Sequence, residues 1–382
     1  MNSIAAAIGA VIALALVPQA VLAQDRTEAL LRELVDAPGP PGFEEAVRRV
    51  MVREMRPLAD SIAYDGLGSV IATQGGRGPK VMIDAHMDEL GGMVRRTTAD
   101  GFVSMQMLGG WLDQALVGQR WIIIGSKGPV RAVSGIRDVH VLPNEARNQV
   151  FGRDSIFLDL GVKSAAEVAD LGVSPGDPVV PDAPFAVMNG TQSYMGKAWD
   201  DRVGCAILIE AMRRLKGQAH PNQLMFVATV QEEVGLRGAE ASAALVKPDV
   251  AIALEAGVAG DAPGSRPEET QAALGRGPGI FLYDSSAIPN RRFVALVKDT
   301  ARAQGLPLQL DLVQGYGDDS AEIQRSNGGV PTVNLVVPTR YTHAHTGVIN
   351  RRDFDQTVTL VVALLRTLDA VTVARLRSFE PE

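Results

Sequence analysis

One cysteine in 382 residues excludes an intrachain disulfide, whatever compartment the chain occupies. Cys205 lies on a helix predicted to follow Asp201, among Val203, Ala206 and Ile207. It reads as a small buried hydrophobe, not a nucleophile. A basic surplus is missing too: the net charge is -7 and the pI about 5.4. That balance argues against nucleic acid or an anionic membrane as partner, since both demand a basic surface. Histidine is scarce, at five residues. Internal repeats and low-complexity tracts are absent. Long apolar runs are scarce as well: IAAAIGAVIALALV, near the start, is short of the ~20 apolar residues that a spanning helix needs.

That run is followed by Pro18 and by Val21-Leu22-Ala23 before Gln24. Small or aliphatic residues just before a cut suit a bacterial signal peptidase, so residues 1–23 are expected to be a signal peptide and the mature chain periplasmic or secreted. The alternative is an uncleaved anchor, because the leader carries no Lys or Arg.

The remainder is long for a single core and is expected to form two domains. TEALLRELVDAP and FEEAVRRVMVREMRPLAD show the 3.6-residue apolar spacing of helices, with a turn from Pro38 to Gly42. SVIATQ and KVMIDAHMD read as buried strands. From about 93 to 190, VSMQML, RWIIIGS, GPVRAVSGI and SIFLDLG are short strands cut by Gly-rich turns. After 195, strands at 223–230, 249–254 and 332–337 alternate with helices near 200–215, 291–304 and 353–370. This is an α/β domain with a largely parallel sheet, interrupted by a β-rich insert. The expected boundaries are 24–92 and 191–382 for the α/β domain and 93–190 for the insert.

Two doubled carboxylates stand out, Asp200-Asp201 in GKAWDDRVGCAIL and Glu232-Glu233 in LMFVATVQEEVGLRGA. Each adjoins an apolar run, where an acid is costly unless paired or bound to a cation. In a parallel sheet, functional side chains gather beyond the carboxyl ends of the strands. His86, Glu232-Glu233, Glu255 and His343 each follow a predicted strand, while Asp200 sits before a helix in the position of a cap. One His and one acid per metal, with a carboxylate between them, suit a zinc pair. Two such ions clamp a nucleophilic water and polarise a carbonyl. Of two adjacent glutamates, one can hold metal while the other takes the proton from water.

At these residues the sequence resembles a known family. AHMDELGGMV, GKAWDDRVGCA, ATVQEEVGLRGA and VPTRYTHAHT are similar to the signature blocks of the tetrahedral, or glutamyl/deblocking, aminopeptidases. The likeness runs from about residue 27 to 370 and includes LGGWLDQALVGQRWII and LGVSPGDPVVPD in the insert. It implies a three-layer αβα peptidase domain with a predominantly parallel mixed sheet and an inserted small β-barrel used for dimerisation. It implies two divalent metal ions, zinc or cobalt, short peptide substrates, and a homo-oligomer between dimer and dodecamer. His86, Asp200, Glu233, Glu255 and His343 match the metal ligands, with Asp200 bridging. Glu232 matches the catalytic base, and Asp88 the carboxylate that orients His86. Asp201 is left to cap the helix or pair with Arg202.

This chain departs from the family at Glu255, where Asp is usual. It departs again in GYGDDSAEI, where Asp318 stands in place of a hydroxyl residue. Asp318 either faces solvent or adds negative charge near the substrate, favouring basic residues. His345 is the nearby competitor of His343. The expected activity is an exported aminopeptidase acting through metal-activated water and a Glu base. The alternatives are a non-catalytic periplasmic descendant that binds peptide or metal, and a glycosidase, which needs two acids but leaves both histidines unexplained.

Overall fold

Leu30, Leu31, Leu34 and Val35 are the buried side of α1 (Arg26–Asp36), and Asp25 caps that helix by accepting from the N–H groups of Thr27 and Glu28. The computed structural model describes residues 25–190 and 192–380, so the expected leader lies outside the described residues. Among the described residues, no single helix is long and apolar enough to cross a membrane.

After α1 come α2 (Glu45–Met55), β1 (Ser61–Tyr64), β2 (Val70–Gln74) and β3 (Lys80–His86). Next are β4 (Gly91–Thr97), β5 (Phe102–Leu108), β6 (Arg120–Gly125), β7 (Gly128–Gly135) and β8 (Phe157–Asp159). The short α3 (Ala165–Asp170) precedes β9 (Pro178–Pro181), and β10 (Ala186–Val187) and β11 (Ser193–Gly196) lead into α4 (Trp199–Leu215). Then follow β12 (Gln223–Thr229), α5 (Arg237–Val246), β13 (Val250–Val258), β14 (Gly279–Tyr283) and α6 (Arg291–Ala303). The chain closes with β15 (Gln309–Leu312), α7 (Ser320–Arg325), β16 (Thr332–Arg340), β17 (Gly347–Asn350), α8 (Arg351–Thr367) and α9 (Ala370–Arg377).

The large sheet is mixed and runs β1-β2-β12-β3-β13-β16-β17-β11-β10, with β14 and β15 joined at β16. Its centre, β12-β3-β13-β16, is parallel, and its flanks are antiparallel. The central strands are apolar throughout because both faces are covered. Val81, Ile83 and Ala85 of β3 share a core with Val203, Ile207 and Leu208 of α4. Met82 faces the opposite way, into a second cluster with Ala239 and Ala243 of α5 and Ile323 of α7. That is the three-layer arrangement expected.

The insert closes into a barrel, β4-β5-β8-β7-β6-β9. Closure removes the exposed edges that six short strands would otherwise present. Trp121, Ile123, Leu158 and Val179 fill it, with Trp111 packed 5.4 Å from Trp121. Its strands occupy Gly91 to Pro181; β10 pairs with β11 in the large sheet, so the strands of the barrel end well before the expected boundary at 190.

Candidate metal centre

The register of the parallel strands gathers the site. Thr229 of β12 lies opposite His86 at the end of β3, and Ala253 of β13 opposite Asp84. Glu255, two residues beyond Ala253, therefore lies level with His86 and on the same face. The turn after β12 carries Glu232 and Glu233, and the turn after β16 carries His343 at φ 58.

Asp200 joins them from the start of α4. Asp200 and Asp201 both lie off helical φ/ψ, and the peptide bond between them is cis. The cap is Asp201, not Asp200: its Oδ1 accepts from Gly204 N–H at 2.9 Å. Asp201 does not pair with Arg202. That guanidinium is fully buried and donates to the carbonyls of Met87, Leu34, Ala37 and Gly39, and to Glu89. Relieved of capping, Asp200 turns one oxygen to each histidine. Oδ1 is 2.9 Å from His86 Nε2, and Oδ2 is 3.5 Å from His343 Nε2.

Both rings are oriented through Nδ1. His86 donates from it to the Asp88 carbonyl at 3.1 Å, and His343 to the Gly110 carbonyl at 3.0 Å. A carbonyl only accepts, so each Nε2 is left facing the acids. The second contact explains the Gly109-Gly110 pair after β5. Gly109 has φ +90, and a Cβ there would lie 2.1 Å from Leu90 and 3.2 Å from Glu233. The barrel thus touches the centre through residues too small to obstruct it.

Around the two rings the acids fall into two groups, His86–Asp200–Glu255 and Asp200–Glu233–His343, each able to direct one ligand atom per residue at a common point. Glu255 Oε2 is 3.7 Å from His86 Nε2, and Glu233 Oε2 is 3.7 Å from His343 Nε2. The extra methylene of Glu255 is taken up locally, because its Oε1 accepts from its own neighbour, Ala256 N–H, at 2.7 Å. Glu232 belongs to neither group; its Oε2 is 3.8 Å from His86 Nε2 and it borders the open cavity. His345 lies outside both groups. It packs edge-on against Trp121 at 4.9 Å, and burial holds its pKa down at about 4.

So many buried acids raise one another's proton affinity. Burial and then Asp200 push Glu233 up to about 8. Burial, followed by Asp200 and Asp201, holds Glu255 well above the usual range, and burial with Glu233 does the same for Glu232. Burial alone would depress both histidines. Glu255 and Glu232 nevertheless carry His86 upward, and Asp200 carries His343 to about 9. Glu233 Oε1 is buried with no hydrogen-bond partner. A donor set of imidazole nitrogens and carboxylates that attracts protons this strongly fits divalent cations.

Asp88 does more than its expected role. Its carboxylate is 3.6 Å from His86 Nδ1, but its hydrogen bonds come from the N–H groups of Glu232 at 3.0 Å and Glu233 at 3.1 Å. Glu44 extends that support. Its Oε1 accepts from Gly42 N–H at 2.7 Å and from Gln231 N–H at 3.2 Å, pinning the left-handed residue that begins the turn. In the sequence Glu44 is one of two acids in FEEAVRR, and nothing there marks it. Removing an acceptor from buried donors costs ~1–3 kcal/mol. Glu44→Ala is therefore expected to lower kcat about tenfold or more through the loosened turn, with Glu44→Gln largely restoring it, since an amide oxygen still accepts. Equal activity of the Ala variant and wild type, measured at saturating substrate, would remove Glu44 from the support of the site.

Asp318 takes neither of its expected places. It is fully buried and accepts from Ser320 N–H at 2.8 Å and Asn334 Nδ2 at 2.5 Å. Burial, then neighbouring Asp284, pushes its pKa well up, and its side chain does not line the cavity at the centre. Cys205 is buried, its thiol donating to the His86 carbonyl, with burial pushing its pKa up.

A mixed sheet with an inserted barrel, and a histidine–carboxylate centre at the strand ends, together define the class: a peptidase. The chain belongs to the M42 glutamyl aminopeptidase family, whose model matches residues 68–360. It is 32% identical to the glutamyl aminopeptidase of Lactococcus lactis subsp. cremoris (strain MG1363), over 91% of this chain and 98% of that one. The solved TET aminopeptidase of Thaumarchaeota archaeon SCGC AB-539-E09 superposes with a TM-score of 0.91 at 39% identity, covering 92% of this chain and 99% of its own. Pyrococcus horikoshii TET1 peptidase, described as assembling into a tetrahedron or a large octahedral shell, gives 0.82 at 30%, covering 90% and 100%.

Proposed function

We propose that this aminopeptidase removes N-terminal residues from short peptides at a two-metal centre, with Glu232 as the proton carrier. The observation that supports it most is Asp200, whose two oxygens face different histidines at 2.9 and 3.5 Å. His86 and Glu255 would hold one ion, His343 and Glu233 the other, and Asp200 both. When bound, such ions act as Lewis acids on the scissile carbonyl and lower the pKa of water. The work left to the chain is positioning and proton transfer. Glu232, borne on a turn held by Asp88 and Glu44, takes a proton from the attacking water at its carboxylate and returns it to the leaving amine. Asp88 and the Gly110 carbonyl keep each Nε2 facing inward.

Two further features belong to this reading. The leader, an apolar run followed by Pro18 and by Val21-Leu22-Ala23 before Gln24, directs export to the periplasm or medium. The likeness to TET peptidases supports a homo-oligomer, with the barrel as the dimerising part. The test combines metal analysis, fractionation and light scattering of the full chain. Two divalent ions per subunit, a mature mass starting at Gln24 in the exported fraction and an assembly of at least two copies are expected. Hydrolysis of aminoacyl anilides should stop in chelator and return with Zn²⁺ or Co²⁺. A single bound ion, or turnover that persists without any, defeats the two-metal mechanism. Polysaccharide hydrolysis in chelator would favour the glycosidase instead.

A further inference from the structure

A cavity of about 660 Å³ opens from the centre, bordered there by Asp200, Glu232, Glu233, Glu255 and His343. On the other side, by Trp199, Thr339 and Tyr341, there is room for only about 30 Å³. A substrate whose first carbonyl lies at the metal centre can therefore place its first side chain only in the larger recess. The walls there are Leu236, Val258, Val313, the Tyr316 ring, Gly315 and Gly317.

The polar side chains of these walls are uncharged apart from the acids, and two of them are already committed. Tyr316 donates its hydroxyl to the Ala256 carbonyl at 2.8 Å, and the Thr270 hydroxyl lies 2.6 Å from Asp311 Oδ2. Among the described lining residues there is no Lys or Arg. Beyond the acids that face the histidines, the one lining carboxylate is Glu269, near the solvent rim. Arg266 of the same loop occupies it, Nε at 2.9 Å and Nη2 at 2.6 Å on Oε1, and its own N–H at 3.1 Å on Oε2.

We infer that the enzyme selects peptides whose first residue is uncharged and apolar, of Leu or Met size, and discriminates against glutamyl and lysyl peptides. The inference rests on the peptidase reading above. A glutamyl carboxylate entering this recess loses water and finds no Lys or Arg, and a lysyl ammonium finds the rim acid, Glu269, already paired with Arg266. Desolvating a charge without a partner is the stronger form of discrimination available to a pocket. The Arg266–Glu269 pair is then the specificity element of the rim, keeping an otherwise attractive acid from recruiting basic residues.

The experiment is a panel of Leu, Met, Phe, Ala, Glu and Lys p-nitroanilides on the metal-reconstituted full chain, together with calorimetric binding of free leucine, glutamate and lysine. Leucyl or methionyl substrate is expected to exceed glutamyl and lysyl by at least about 30-fold in kcat/KM, and leucine to bind more tightly than either charged amino acid. Arg266→Ala, at an exposed site, should raise the lysyl-to-leucyl ratio about fivefold by freeing Glu269. A glutamyl or lysyl preference in the wild-type protein overturns the inference and leaves the peptidase intact. An unchanged ratio in Arg266→Ala overturns the role of the rim pair. No turnover with both ions bound, but preferential leucine binding, would keep the recess as argued and refute the proposed catalysis.

Discussion

Glu232→Gln is expected to lose about 10²–10⁴-fold in turnover while retaining both metal ions. The substitution keeps volume and one carbonyl oxygen but removes the site that accepts and returns a proton. Glu232 lies outside both ligand groups, so metal content should be unchanged. Its carboxyl is pushed up by burial and then by Glu233, and it borders the open cavity. Glu233→Gln should behave differently, losing the ion on the His343 side together with activity. The two variants are compared by metal analysis and by kcat on an aminoacyl anilide. Wild-type turnover in Glu232→Gln would end the assignment; loss of metal there, with retention in Glu233→Gln, would exchange the two roles.

Metal affinity should rise steeply with pH through about 8 and about 9. In the cation-free protein Glu233 titrates at about 8 and His343 at about 9, and His86 is also held above its ordinary value. Below pH 8 these groups hold protons that an incoming ion must displace. Each proton shed adds up to ~10-fold in affinity per pH unit. At pH 7 binding should therefore release protons, seen as a buffer-dependent heat in calorimetry. Asp200→Asn, which withdraws the charge from between the two histidines, should abolish binding of both ions. Affinity that stays flat from pH 6 to 9 would mean that these residues are not the ligands.

Much of this centre was legible along the chain because its residue types are costly where they lie. An acid or a histidine at the end of an apolar strand needs a reason, and His86, Glu232, Glu233 and Glu255 all meet at one place. The division of each doubled carboxylate was legible only through likeness to a family. In space it has a physical cause: Asp201 caps α4 through Gly204, and that releases Asp200 toward both rings. Glu44 and Tyr316 were missed because an acid in an amphipathic helix and an aromatic in a Gly-rich loop are ordinary. Only the packing of α2 against the turn after β12, and of the 313–317 segment against β13, makes them neighbours of the site. Asp318 was misjudged for the same reason. A loop acid is usually solvated, and nothing in GYGDDSAEI foretells Asn334 and Asp284.

The sequence by itself determined the layers, the inserted β-rich segment and the kinds of ligand, because apolar periodicity and the cost of isolated charge are local properties of the chain. The tertiary structure alone decided which oxygen faces which nitrogen, which half of each acid pair is free, and how much room a substrate side chain has. Those outcomes depend on strand register and on contacts between residues far apart in sequence, and neither is encoded in any single stretch.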